Sequence, residues 1–452
     1  MADLKTDYLI IGNSAAGVTA AEHIRANDEM ASVTIVSREP YPAYGRPLIS
    51  YMIEGKTTEE KIWFKAPDFY EGHRFDTLFG SEYEVVELNP QAHEARMANG
   101  QVVAYGKCLL ATGSVPFTPP IKGLEGKANV STFITLDDAK KAWGMARQAT
   151  EAAHAQGRES RIVVIGAGLI GLKAAEALSY HADEILVLEL APRILPAVLD
   201  AQGAAVLQKL VAEHGIECKP GVSAAELVGE GDQITSAVLT NGEEVACDMV
   251  VAAVGVRPNS SLAVNAGAEQ GRGLICDETL QTSLPDVYAA GDLVQVTDVL
   301  DGAQRPLALW PNAMRQGKLA GLHMAGVAGA EPYRGSFAVN AVDFFEASLL
   351  TAGIINPADD SGCATRIIAE GERYAKFVTR EGKLVGYILL NRPQNAGIYT
   401  SLIENDVPLS TLDEGIFDDA PVNLDFSEQV RWERLHKCYP ADRDKRGWKE
   451  RA

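Results

Sequence analysis

Cysteine is scarce and dispersed: six residues, at 108, 218, 247, 276, 363 and 438, in a chain of 452. None forms a C-x-x-C or C-x₄-C pair. A protein-borne iron–sulfur cluster, a structural zinc site and a vicinal redox disulfide therefore all lack their sequence signature, and no metal is expected. Dispersed cysteine suits a reducing, cytoplasmic setting. No run of about eighteen apolar residues occurs, so no spanning helix and no membrane role is expected. The opening MADLKTDYLI lacks a basic segment before its apolar run, which argues against a signal peptide. Basic charge is also short. Lys and Arg number 41 against 61 Asp and Glu, a net charge of −20, which disfavours nucleic acid as a partner.

Two glycine-bearing turns stand out against this background. Residues 7–17 read DYLIIGNSAAG. An apolar run, Tyr8 to Ile11, meets Gly12, Ser14, Ala15, Ala16 and Gly17, and an Ala-rich helical stretch follows. Gly12 permits the turn, the small Ser14 lets backbone approach a pyrophosphate, and Gly17 lets helix and strand pack closely. The phosphates would sit on the free N–H groups at the helix start. Residues 161–171, RIVVIGAGLIG, are a second and unbroken copy, with Gly166, Gly168, Ile170 and Gly171. About twenty residues on, Ile185 to Glu189 reads as a strand ending in an acid that can accept from ribose hydroxyls. Two cradles in one chain imply two dinucleotides, and the natural pair is a flavin and a nicotinamide.

The remaining chain can be arranged around these copies. Val33 to Val36 is a second strand with Glu39 just past its end, a candidate for the flavin-side ribose. Tyr41 to Ser50 forms a loop with Arg46 and Pro47 that opens a helix and could lie over a planar ring. Asn99-Gly100 and Asn241-Gly242 mark hairpins. The stretch Cys108 to Pro116 is an apolar strand ending in Thr112-Gly113 with a proline beyond. Asp248 to Pro258 repeats that pattern around Gly255. These two crossovers imply an inserted domain: 1–116 with 248–330 as one nucleotide-binding domain, and 117–247 as the other. The strand Val287 to Ala290 ends in Gly291-Asp292, and a carboxylate there faces the ligand crevice of an open α/β sheet. A helix from Trp310 to about Gly326 follows, whose amides and N–H groups could meet a polar ring edge. Residues 331–452 read as a separate α+β module. Its last stretch, 431–452, carries eight basic residues against four acids. That tail reads as a solvated helix or as a docking arm for an acidic partner.

With both fingerprints, the Ala-Thr-Gly and Gly-Asp strands and the inserted order in hand, the chain resembles the FAD-dependent pyridine nucleotide oxidoreductases. The likeness covers residues 1 to about 330 clearly and the C-terminal module more loosely. Gly12-Asn-Ser-Ala-Ala-Gly17 and Tyr44-Gly-Arg-Pro-Leu-Ile-Ser50 are similar to one branch. It holds rubredoxin reductases, the flavin part of assimilatory nitrite reductase, and flavin subunits found beside some carbon monoxide dehydrogenases. The resemblance implies an α/β fold of two Rossmann-like FAD/NAD-binding domains, the second inserted in the first, plus a C-terminal α+β domain. It implies that Gly12, Ser14 and Gly17 bind the FAD pyrophosphate, that Arg46 and Pro47 lie by the flavin, and that Thr112 and Gly113 line its crevice. Asp292 would hold the ribityl chain. Gly166, Gly168, Gly171 and Glu189 would bind NAD(H).

Two departures shape the expected activity. Disulfide-reducing relatives carry redox cysteine in the region matching residues 40–55, which here has none. Chemistry through a protein sulfur is thus disfavoured. Many relatives also pair a Glu just past the third glycine with a Lys of the first domain. Here those positions hold Lys173 and Tyr51, so Lys173 is expected as a lone cation near the flavin. Hydride exchange between nicotinamide C4 and flavin N5 needs alignment rather than a protein acid or base. The expected activity is electron passage between NAD(H) and a small external iron–sulfur protein, ferredoxin- or rubredoxin-like. One candidate is a carrier serving carbon monoxide dehydrogenase. An NADH oxidase using dioxygen and a non-catalytic FAD/NAD sensor or scaffold are the alternatives. Glu189 favours NAD(H) over NADP(H), with Arg193 nearby as the counter-signal. A homo-oligomer is left open.

Overall fold

A computed structural model describes residues 2–412 and 415–418. The basic stretch 431–452 lies outside the described residues. The chain divides into two compact units: Met1–Ala197 with Gln208–Ala338, and Val198–Leu207 with Val339 onward.

The first unit holds two parallel sheets. In the first sheet, Asp76–Phe79, Val33–Ser37, Leu4–Ile11 and Val102–Leu110 lie side by side and parallel. Val287–Ala289 adds in parallel to the carboxyl half of Val102–Leu110. The antiparallel strands Glu94–Met97 and Val85–Asn89 extend its amino half. Helices Ala15–Asn27 and Trp310–Met324 belong to this fold. They pack so closely that a Cβ on Gly317 would stand 2.3 Å from the Ala16 carbonyl oxygen. Burial of the central strands on both faces explains their unbroken apolar runs, such as Tyr8 to Ile11.

In the second sheet, Ile216–Pro220, Glu184–Glu189, Arg161–Ile165, Met249–Ala252 and Val130–Ser131 are all parallel. An antiparallel meander, Ala224–Glu230, Gln233–Leu239 and Glu244–Ala246, shares a core with it through Val163, Leu186, Leu227 and Ala237. The strand Met249–Ala252 corrects the expected boundary at 247. It pairs with Ile162 to Ile165, so the insertion runs on through Ala252. An apolar run of that kind suits either sheet, and only its register decides. The two crossovers, Ser114–Pro116 and Val256–Pro258, pair with each other as an antiparallel ribbon.

The second unit is a five-stranded antiparallel sheet, in the order Val339–Phe344, Ala347–Gly353, Lys383–Leu390, Arg373–Arg380, Cys363–Glu370. Helix Ala396–Glu404 packs on it, and Phe344, Tyr374, Phe377 and Tyr387 fill its core. This α+β sheet starts at Val339 rather than 331. It also takes in Val198–Leu207, where Asp200 accepts from the Tyr374 hydroxyl at 2.6 Å and meets Lys376 Nζ at 3.0 Å.

Candidate active site

Both parallel sheets reverse strand order beside their first strand, and each glycine turn sits at the carboxyl end of that strand. This is the place where open α/β sheets bind ligands. In the first fold Gly12 turns the chain at φ +125°, and a Cβ there would stand 2.1 Å from the Ala111 carbonyl oxygen. Ser14 caps helix Ala15–Asn27 in an extended conformation, with no hydrogen bond from its side chain to the helix. Ala15 and Ala16 form the buried first turn, and a Cβ on Gly17 would lie 2.0 Å from the Gly12 oxygen. The helix start therefore presents N–H groups without intrahelical partners to the sheet edge, where an anion is favoured.

The second fold repeats the arrangement. Gly166 has φ +104°, and a Cβ on Gly171 would lie 1.9 Å from the Gly166 oxygen. Around Gly168, the cap of helix Leu169–Ser179, the space is open, and Ile170 lies half-buried in the first turn. Glu189 ends its strand with one carboxylate oxygen on the Ala167 N–H and the other on the Ala191 N–H, both at 2.8 Å. Arg193 donates to the Pro196 carbonyl at 3.4 Å.

The crevice of the first fold is lined by residues from three segments. The Thr112 hydroxyl donates to the Asn259 carbonyl at 2.7 Å, and the Asn259 N–H donates to Gly113 at 2.9 Å. Gly255 lies on the return crossover at φ +112°. Asp292 accepts from the Ser114 hydroxyl at 2.9 Å. Burial raises its carboxyl above the ordinary range, opposed by Ser114 and the Arg46 charge. The Gly291 N–H donates to Gln316 Oε1 at 2.6 Å, and Gln316 donates on to Tyr333, which donates to Asn312. The helix amides are thus spent inside the protein, where they hold the Gly291-Asp292 turn.

Arg46 opens the short helical segment Arg46–Leu48 with Pro47 beside it. Its guanidinium pairs with Glu39 and stands 5.1 Å from the Tyr44 ring centroid. Burial alone would lower its pKa, but Tyr44 and Glu39 carry it upward. Glu39 also accepts from the Tyr44 hydroxyl at 2.6 Å. The strand runs to Ser37, and Glu39, two residues on, turns back onto the loop.

Lys173 is not the lone cation expected. Its ammonium lies 2.5 Å from Glu176, 3.2 Å from Glu54 and 4.4 Å from the Tyr51 ring centroid. Glu54, Lys56 and Glu176 carry no motif, so the sequence reading missed them. The signal that could have found them is Glu176, one helical turn from Lys173 and therefore on the same face.

The residues fit two dinucleotides. Each turn has close approach at its first and third positions and a small residue at the second, with a bare helix start behind. The sequence model of the pyridine nucleotide-disulphide oxidoreductase family matches residues 6–317. The chain is 28% identical over 410 residues to the NADH-dependent phenylglyoxylate dehydrogenase subunit epsilon of Aromatoleum evansii, covering 90% of this chain and 93% of that one. It is 34% identical over 328 residues to an NADH oxidase of Methanocaldococcus jannaschii, covering 71% and 70%. Among solved structures it is similar to the ferredoxin reductase for the CYP199A2 system of Rhodopseudomonas palustris, with TM-score 0.76, 26% identity, and coverage of 87% and 93%. The chain belongs to the pyridine nucleotide-disulphide oxidoreductase family and is an oxidoreductase whose cofactors are FAD and NAD(H).

Proposed function

We propose that this enzyme passes electrons between NAD(H) and an external one-electron iron–sulfur protein of the ferredoxin or rubredoxin kind. The observation that carries the reading is the makeup of residues 40–55. That stretch, in which sulfur-using relatives carry cysteine, holds none here and carries Arg46 and Pro47. Four of the chain's other thiols are poor candidates. Burial pushes the thiols of Cys218, Cys247 and Cys276 up to about 12 and that of Cys108 higher still. A thiol so held is a weak nucleophile. Electrons from NADH then need an acceptor outside the chain.

When bound, FAD supplies hydride exchange at N5 with nicotinamide C4 and single-electron exchange with a partner. The chain's own residues bind and align. The Ser14 to Gly17 turn holds the FAD pyrophosphate on its N–H groups, and Asp292 accepts from sugar-alcohol hydroxyls. Thr112, Gly113 and Gly255 wall the crevice. Arg46, fixed by Glu39, places a positive charge at its rim. Gly166 to Gly171 hold the second pyrophosphate, and Glu189 selects NAD(H) by repelling a 2′-phosphate. The likeness to a ferredoxin reductase supports an iron–sulfur acceptor. A ferredoxin-like carrier serving a carbon monoxide dehydrogenase is one partner of that chemistry, and co-purification from the source cell tests it.

The deciding experiment is anaerobic reduction by NADH, followed by rapid mixing with a rubredoxin, a [2Fe–2S] ferredoxin or dioxygen at equal concentration. Faster reoxidation by an iron–sulfur protein is expected. Faster reoxidation by dioxygen overturns the proposal and selects the second reading, an NADH oxidase, which the 34% identity to the Methanocaldococcus enzyme favours.

A further inference from the structure

Next to the glycine turn of the second fold lies a mixed-charge cluster with no assigned role. It joins helix Ile49–Ile53 of the first fold to helix Leu169–Ser179 of the second, which pack together. Glu54, directly after the first helix, has a side chain with no solvent exposure, and that of Glu176 is 1% exposed. Glu54 lies 2.7 Å from Lys56 Nζ and 3.2 Å from Lys173 Nζ. Glu176 lies 2.5 Å from Lys173 and 3.5 Å from Lys56. The set of two carboxylates and two ammoniums is neutral, and each acid touches both cations. His181 Nε2 lies 2.8 Å from the Ile53 carbonyl, adding a second tie across the same seam.

We propose that Glu54 is a positioning residue for hydride transfer, holding Lys173 and with it the nicotinamide-side helix in register with residues 46–53. Helix Leu169–Ser179 is a rigid rod whose start carries Gly168 and Gly171, so a shift at Lys173 moves the turn that cradles the nucleotide. Residues 46–53 begin with Arg46, at the flavin crevice. The cluster thus ties together the two elements whose spacing sets the distance between the reacting rings. Without the Glu54 charge, the balance of two acids against two ammoniums is lost, and Lys173 loses its tie to the segment that carries Tyr51. The adenine end of the nucleotide is held elsewhere, by the turn amides and Glu189. Affinity for NADH and the rate of hydride transfer should therefore separate. The inference rests on the cofactors and not on the acceptor, so it stands or falls apart from the reading above.

The test is anaerobic bleaching of the holoenzyme's flavin by NADH in rapid mixing, with the rate expressed per bound flavin. Glu54→Gln should lower the limiting rate roughly 10- to 100-fold, the loss typical of a misalignment near 1 Å, with the NADH dissociation constant held within about two-fold. Glu54→Asp, which keeps the charge, should recover most of the rate. Lys173→Met should give a similar loss, and the double variant E54Q/K173M no more than either alone, as expected for one coupled unit. Thermal unfolding of the flavin-stripped proteins reads the purely structural role. A wild-type limiting rate in Glu54→Gln, whatever its melting temperature, overturns the proposal. So does a double variant whose losses multiply.

Discussion

The two dinucleotide folds solve one packing problem with different residues. In both, the first and third positions of the glycine turn are pinned by backbone. A Cβ on the third residue would lie 2.0 Å from the first glycine's oxygen in one fold and 1.9 Å in the other. The middle position differs: Ser14 in the first fold, Gly168 in the second. Both residues are extended at negative φ, and open space surrounds Gly168. The middle glycine is therefore not demanded by the fold. It answers to the ligand, and a serine there is small enough. The strand-end acids differ more. Glu189 is braced by the Ala167 N–H of the glycine turn and the Ala191 N–H of its own, whereas Glu39 is committed to Arg46 and Tyr44. A second pair of clips shows the same theme with roles exchanged. At the amino end of the first sheet, Asp7 accepts from the Ser32 N–H and hydroxyl at 2.8 and 2.7 Å. In the second, Asp183 accepts from Ser160 at 2.8 and 2.9 Å, with serine now on the first strand's side.

Seven substitutions probe this comparison. The largest effect is expected from Gly17→Ala and Gly171→Ala, where a methyl meets a carbonyl. Each should cost about 1–3 kcal/mol of stability through overpacking. Gly17→Ala should also purify with little flavin, and Gly171→Ala with flavin that NADH barely bleaches. Flavin absorbance before and after NADH reads both, and a swap of these phenotypes would break the assignment of one cofactor to each fold. Next is Glu189→Gln, which should raise the KM for NADH roughly ten-fold, the loss of a charged hydrogen bond, and narrow discrimination against NADPH. Glu39→Gln should instead leave FAD affinity near wild type and slow NADH-driven bleaching by releasing Arg46; weak FAD binding would return Glu39 to the ribose.

The smaller effects lie at the clips and the middle position. Hydrogen bonds from Ser32 lower the Asp7 pKa, and those from Ser160 lower that of Asp183, the backbone N–H first. Each contribution is therefore present above the unfolded value near 3.9. Each is lost as pH falls through the lower folded value. Asp7→Asn and Asp183→Asn should each flatten the loss of stability below about pH 4, modestly because both carboxylates are close to water. Denaturant midpoints across that range read this out. Smallest of all, Ser14→Gly should change the FAD dissociation constant by no more than about two-fold, since Gly replaces a capping residue at a cost of a few tenths of a kcal/mol.

Local sequence made much of this legible. The turns, the helix starts and the Gly291-Asp292 strand end are contiguous features, and each forms as its local sequence leads one to expect. The α/β class and the insertion follow from the repeated strand–Gly–Pro pattern. What stayed hidden is long-range. Nothing in Met249 to Ala252 says which sheet it joins, because a strand buried on both faces has no polar side to orient it. Of the partners of Lys173, Glu176 is local, but Tyr51 and Glu54 come from a segment more than a hundred residues away, and Glu54 looks like any surface acid until its burial is known. The partners of Glu39 were hidden in the same way: the strand closes at Ser37, paired with Phe79, and only the loop fold brings Arg46 and Tyr44 onto the acid.

The ribbon formed by Ser114–Pro116 and Val256–Pro258 has a consequence for engineering. It brings the entry and exit of the inserted fold side by side, so the host need only close a short gap when the guest is excised. Splicing at these prolines offers a natural seam for grafting a different guest fold without rebuilding the host.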